Sequence, residues 1–250
     1  MARWLAGQGF PRVSIVEGGL AGWRKAGLPV ERLDGELPVA SDATGPVALG
    51  EGRASFLSSL ADRYLVGGGL PTRRRLATLF VDIAGSTRLL AQHPPERVLA
   101  VVQRFLRLVT EVALAYCGDV KDFEGDGALL YFESTAEAAQ AALAIRSALA
   151  AGSCDQQTPI TARMSLTVGD VVLGVVGSTM RQAVALVGPS VSVGARLLKQ
   201  IPPGGIIASG EAVEALRAEA PELAAQWRLL DPAHEVLGGE GITVATYAIS

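Results

Sequence analysis

The stretch DVKDFEGDGALLYFE, residues 119–133, limits the fold more than any other part of the chain. It reads as two strands around the tight turn EGDG, and a link this short joins only antiparallel neighbours. Upstream, LATLFVDI at 76–83 is an apolar run that ends on a carboxylate, the pattern of a buried strand. Between the two, PERVLAVVQRFLRLVTEVALAYCG places Val98, Val102, Phe105, Val109 and Val112 at helical spacing, with Gly118 just past the end. After the hairpin, STAEAAQAALAIRSALAAG sets Glu137 three residues after Ser134, the start of a capped helix. ITARMSLTVGDVVLGVVG reads as paired strands and SVSVGARLLKQI as a helix; short strands follow near Ile206 and in ITVATYAI. Strand, helix, hairpin, helix, strand is the order of an α+β, ferredoxin-like βαββαβ core with extra strands and helices.

Three zones follow from this. Residues 1–32 hold a helix end, a short strand (RVSIV) and a glycine-flanked helix, too little to bury a core alone. Residues 33–75 are linker-like, rich in Gly, Pro, Ser and Asp, with one short amphipathic helix in ASFLSSLADRYLV. That helix reads equally as a spacer or a coupling segment. Residues 76–250 carry the main domain.

Composition removes several function classes. A net charge of −3 shows no basic excess for nucleic acid, and Arg73–Arg75 reads as a short solvated run. No apolar stretch reaches the roughly 18 residues of a membrane span, and the start lacks the pattern of a secretory signal. Cys117 and Cys154 form no metal or redox motif. The expected location is cytoplasmic.

The chemistry concentrates in carboxylates. Asp82 ends the first strand and Asp126 sits in the hairpin turn, so in a sheet where those strands are neighbours both carboxylates reach one edge. Two such groups with no basic side chain beside them repel, and favour a hard cation. The amides after Asp82 open a helix, where anionic oxygens bind, and Gly85 permits close approach. Helix capping and an ordinary hairpin turn explain each feature singly. There is no Walker-type loop, since GGGLP lacks the Lys and Ser/Thr.

Taken together, LFVDIAGST, KDFEGDGALLYF, GVVGS and GPSVSVGARLL resemble the class III adenylate and guanylate cyclases over about residues 76–247. The resemblance implies a metal-dependent lyase that turns ATP, or GTP, into a 3′,5′-cyclic nucleotide and pyrophosphate for intracellular signalling. It implies two Mg²⁺ or Mn²⁺ ions per site, held by Asp82, the Ile83 carbonyl and Asp126. Ala84, Gly85, Ser86 and Thr87 would face the triphosphate, and Arg163 matches a phosphate-binding arginine, though it reads equally as an exposed strand residue. Arg196 matches the arginine that stabilises charge on the α-phosphate, and Ser192 stands where the family has a transition-state asparagine. The partners implied are a nucleoside triphosphate and a second copy of the chain. Active sites would lie at the homodimer interface, with no nucleic acid and no membrane span.

Base recognition departs from the family. Its purine-contacting lysine falls on Asp122, with Lys121 one place early, and strand alternation sends neighbours to opposite faces unless a bulge shifts one. The second purine position is Ala185, which cannot hydrogen-bond a base. A late lysine position is Gly238. Three readings stand: an active cyclase with altered base choice, in which Asp122 either favours GTP or is simply solvated; a weak cyclase; and an inactive nucleotide-binding or dimerisation module.

WLAGQGFPRVSIVEGGLAGWRKAGLPVER, near the start, resembles the C-terminal end of a rhodanese domain. The rhodanese catalytic cysteine lies upstream of this pattern, and no cysteine precedes Cys117. The resemblance therefore implies a fragment without sulfur transfer.

Overall fold

The computed structural model describes residues 70–152, 159–178, 181–237 and 242–249. The expectations for residues 1–32, for most of the linker-like zone and for Gly238 fall outside these residues.

The chain enters on β1 (Thr72–Ile83), then α1 (Ser86–Gln92) and α2 (Pro95–Ala115). The hairpin β2 (Asp119–Glu124) and β3 (Gly127–Phe132) follows, then α3 (Thr135–Ala150). Next come β4 (Ala162–Ser178), β5 (Arg181–Val187) and α4 (Pro189–Leu197). The end is β6 (Ile206–Ser209), α5 (Gly210–Glu219), α6 (Pro221–Ala224), β7 (Trp227–Leu237) and β8 (Ile242–Ile249). Strands lie in the order β2-β3-β1-β4-β6-β8-β7, with β5 paired to β4. The first four reproduce the ferredoxin-like core; the last strands extend it.

β4 differs from its expectation. ITARMSLTVGDVVLGVVG forms one strand, not two, because three partners share its length. Its early residues pair with β1 and β6, and its late residues, from Val172, with β5. β1 also begins earlier, so Arg73–Arg75 are paired strand residues with exposed side chains.

Strand alternation sorts the sheet into two faces. Ala77, Leu79, Val81 and Ile83 of β1 join Leu130, Phe132, Met164 and Leu166 in the main core. There they meet Phe105 and Val109 of α2, Ile145 of α3 and Leu216 of α5. α2 buries Val98, Val101, Phe105, Val109 and Ala113, one stripe of a helix. Its end differs in detail: Cys117, not Gly118, takes the left-handed conformation (φ 60°). Gly118 is required for another reason, since a Cβ there would lie 2.1 Å from the Phe132 ring.

The capped start of α3 is present and is reinforced from far away. Ser134 Oγ accepts from the Glu137 N–H, and it donates to Glu219 Oε2, at the end of α5, over 2.7 Å. The Ala136 N–H reaches the same carboxylate oxygen at 2.9 Å. Burial would push the Glu219 carboxyl up, but these hydrogen bonds win and hold it below the ordinary glutamate value.

The opposite face of β1 and β4 is different in kind. It carries Thr78, Phe80 and Asp82 against Thr167, Ser165 and Arg163, three successive cross-strand pairs. α4 packs over the first two pairs, and the third lies at the end of β1.

Candidate active site

Asp82 is the last residue but one of β1, with Gly127 of β3 on one side and Arg163 of β4 on the other. Asp126 precedes Gly127, in the two-residue turn between β2 and β3. Gly125, the first turn residue, has φ 64°, a conformation that favours glycine. The hairpin register therefore delivers Asp126 to Asp82 from a neighbouring strand end, as the sequence suggests. Gly127 makes the approach feasible: a Cβ there would lie 3.0 Å from the Val81 carbonyl and 3.6 Å from Asp82 Oδ1.

Asp126 Oδ2 is buried and, among the described residues, has no hydrogen-bond partner. A buried acceptor left unpaired costs about 1–3 kcal/mol, a cost that a bound ligand would relieve. Burial pushes the Asp82 carboxyl above the usual carboxylate range; Arg163 opposes the rise, and the nearby Asp126 carboxylate adds to it. The donor set suits a hard cation. No third His, Cys, Asp or Glu completes a metal cluster among the described residues. Mg²⁺ commonly takes only one or two carboxylates and completes its shell with waters and substrate phosphate, so two carboxylates are a sufficient protein contribution.

The sequence reading places no basic side chain beside these carboxylates, and the fold corrects it. Arg163 Nη2 donates to Asp82 Oδ2 at 2.6 Å, with the two side chains 28% and 23% exposed. The partners stand 81 residues apart. Only the β1–β4 register brings them together.

After Asp82, Ile83 pairs with Ala162 and turns its side chain into the main core. The Ala84 N–H is already taken by the Thr161 carbonyl at 2.8 Å. Gly85, at φ 77°, is the N-cap of α1. The amides of Ser86 and Thr87 open the helix and have no partner within it.

The residues 71–230 match the family model described as the adenylate and guanylate cyclase catalytic domain. The chain belongs to that family. Among solved structures, the adenylyl cyclase CyaB from P. aeruginosa matches with a TM-score of 0.62 at 22% identity, covering 72% of this chain and 95% of that one. The guanylate cyclase domain of RhGC from Catenaria anguillulae, solved in complex with GTP, matches at 0.63 and 20% identity, covering 72% and 98%. These likenesses establish the shared fold. Two uncharacterized proteins of Mycobacterium tuberculosis are 31% and 30% identical over 183 residues, 71% of this chain. The chain spans about a third of their length (33% and 31%). The family match begins at residue 71, so neither it nor the described residues test the expected resemblance of the first residues to a rhodanese end.

The remaining expected site residues of this cyclase domain lie on other elements, α4, β5 and β2. α4 buries Ser190, Val193, Gly194 and Leu197 against the sheet. Ser192 and Arg196, one turn apart, are exposed on its other side. Ala185 sits in β5 opposite Gly174.

Around Asp122 the sheet is irregular. Val120 pairs with Leu130, but Asp122 rather than Lys121 pairs with Leu129, so the register slips by one residue at Lys121. That is the signature of a β-bulge, which re-aims a side chain. The Lys121 side chain is 12% exposed and that of Asp122 63%, with Lys121 Nζ 3.6 Å from Asp122 Oδ2. The other Asp122 carboxylate oxygen accepts the Phe123 N–H at 3.0 Å. No local signal in the sequence marks this bulge. The seat of α4, also missed, did leave a signal: hydroxyls at Thr78, Ser165 and Thr167 in otherwise apolar strands.

Among the described residues, no helix is long and apolar enough to cross a membrane.

Proposed function

We propose that this domain is a nucleotidyl cyclase, converting ATP to 3′,5′-cyclic AMP and pyrophosphate as a homodimer. The observation that carries the reading is the meeting of Asp82 with Asp126, whose buried Oδ2 lacks a partner among the described residues. Asp82 and Asp126 would hold Mg²⁺ or Mn²⁺, with the Ile83 carbonyl beside them. A bound cation supplies charge neutralisation for the triphosphate and a lower barrier to losing the ribose 3′-hydroxyl proton.

The chain's own groups do the remainder. The Ser86 and Thr87 amides, with Gly85 allowing close approach, bind phosphate oxygens. Arg163 exchanges Asp82 for a phosphate oxygen when substrate arrives, keeping a charged partner in both states. The ribose O3′, giving its proton to solvent water, forms a bond to the α-phosphorus while the bond from that phosphorus to the bridging oxygen breaks, and pyrophosphate leaves. Arg196 and Ser192 donate to the charge that builds on the α-phosphate. They point away from their own sheet, which suits delivery to a second copy's carboxylates.

The bulge supports ATP. It turns Lys121, a pure donor, into a sheltered position, and adenine N1 is an acceptor. Asp122, the acidic residue that would suit guanine, is exposed and spends one oxygen on the Phe123 N–H. A second reading, a regulatory module without turnover, draws on Ala185, which offers a base no hydrogen bond, and on the short reach of Ser192.

Purified protein with Mn²⁺ and either ATP or GTP, assayed chromatographically for cyclic nucleotide, separates the two. Cyclic AMP that disappears in Asp82→Ala supports the cyclase. Nucleotide binding without any cyclic product supports the module.

A further inference from the structure

Three hydroxyls lie in the strands beneath α4, on the face that ends at Asp82. Thr78 and Ser165 are fully buried and Thr167 is 1% exposed. In a strand interior, valine or alanine would fill such places without needing a partner. Each hydroxyl here has one. Thr78 Oγ1 and Thr167 Oγ1 share a hydrogen bond of 2.8 Å. Thr167 Oγ1 lies 2.9 Å from the Ser190 carbonyl, and Ser165 Oγ lies 2.7 Å from the Gly194 carbonyl. Each donates to that oxygen, and Thr78 accordingly donates to Thr167.

The two acceptors are main-chain carbonyls four residues apart, one turn of α4. They differ from ordinary helix packing, in which side chains meet side chains and the axis can slide by a fraction of a turn. Here the strands grip the helix backbone at two points, which fixes both its rotation and its advance along the sheet. Two glycines allow the grip. A Cβ on Gly194 would lie 2.9 Å from Phe80 Cδ2 and 3.1 Å from Thr167 Oγ1. A Cβ on Gly169 would lie 2.8 Å from Ser190 Cβ.

The grip and the carboxylate site are rungs of one ladder. Thr78 faces Thr167, Phe80 faces Ser165, and Asp82 faces Arg163. Ser192 and Arg196 stand on the side of α4 away from the held carbonyls, so they move rigidly with it. We infer that Thr78, Thr167 and Ser165 are positioning residues: they hold α4 in one register, and so set where Ser192 and Arg196 are presented for the reaction. This rests on the cyclase reading of the domain.

The test uses the full chain with Thr167→Val, which keeps the shape and removes the hydroxyl that links Thr78 to Ser190. Ser165→Ala is the second variant, Thr167→Ser the conservative rescue. Thr110→Val is the control, because Thr110 Oγ1 makes the same kind of bond to a helix carbonyl, that of Leu106 at 2.7 Å, within α2. Steady-state kinetics with Mn²⁺ and ATP are expected to show kcat about tenfold lower or more in Thr167→Val and Ser165→Ala, with KM changed less than about twofold. Thr167→Ser should restore most of kcat, and Thr110→Val should leave it unchanged. Amide hydrogen exchange is read in parallel: residues 190–198 should exchange faster in Thr167→Val while α2 and α3 do not.

Equal kcat in Thr167→Val and wild type, or a loss that Thr110→Val reproduces, overturns the inference. So does unchanged exchange in α4. If wild type itself forms no cyclic product, the cyclase reading fails on its own; the exchange result then still decides whether these hydroxyls hold α4.

Discussion

Replacing Arg163 by glutamine tests the electrostatics of the site in two opposite directions at once. In the metal-free protein, Arg163 is the cation at Asp82, through one short hydrogen bond of 2.6 Å. Both side chains are about three-quarters shielded from water (28% and 23% exposed), so the pair is worth more than a surface ion pair. A hydrogen bond to a charged group contributes about 1.5–3 kcal/mol. A metal ion that takes Asp82 Oδ2 must first displace Arg163, and that contribution is set against it. Glutamine removes the competitor. Mn²⁺ affinity without nucleotide should therefore rise about tenfold or more, since each 1.4 kcal/mol is a factor of ten. The same change leaves Asp82 and Asp126 facing each other with less compensation. Metal-free stability should fall by about 1–2 kcal/mol, and the melting temperature by about 2–4 °C for each kcal/mol. Titrating free Mn²⁺ by electron paramagnetic resonance, with thermal melts in chelator, reads both quantities. Turnover should fall about a hundredfold, because the arginine is also the proposed phosphate ligand. Unchanged or weaker Mn²⁺ binding in Arg163→Gln would refute the competition, and with it the exchange of partners assigned to Arg163.

Other perturbations have defined signs. Asp126→Asn removes a buried charge whose Oδ2 has no partner among the described residues, so it should raise metal-free stability by about 1 kcal/mol in chemical denaturation while abolishing cyclic product. Glu219→Gln should cost about 1 kcal/mol at pH 7 through the hydrogen bonds at the start of α3. Because the folded carboxyl titrates below its ordinary value of about 4.3, that contribution is complete above this value and is lost as pH falls through the lower folded one. Urea melts of wild type and variant should thus differ at pH 7 and converge in acid; a constant gap would contradict the assignment. Finally, inactive Asp82→Ala mixed with inactive Arg196→Ala should recover part of the cyclase activity, if the exposed face of α4 serves the carboxylates of a second copy. Recovery absent from a mixture shown to exchange subunits would place both groups in one chain.

Much of this site can be read without coordinates, and for a local reason. A strand that stops on Asp82, a glycine-bearing start of α1 and a tight hairpin turn holding Asp126 are short-range features. Residue type and spacing set them within about ten positions. The helix stripe of α2 and the Ser134 cap are of the same kind. From these alone follow the α+β order, the two carboxylates and the family resemblance.

What lay beyond the sequence is whatever depends on register between distant strands. Arg163 meets Asp82 because β1 and β4 align at that rung and not one residue away; a slip of one would turn the guanidinium to the opposite face. The bulge at Lys121 is likewise a property of the β2–β3 pairing. Nothing in the residues VKD announces it, yet it decides whether a lysine or an aspartate is sheltered. The single long β4 emerges only when β1, β5 and β6 share its two edges. Sequence determined which chemical groups this domain owns and which local elements carry them. Tertiary structure decided which groups face each other, because pairing energy belongs to contacts between strands that no local pattern encodes.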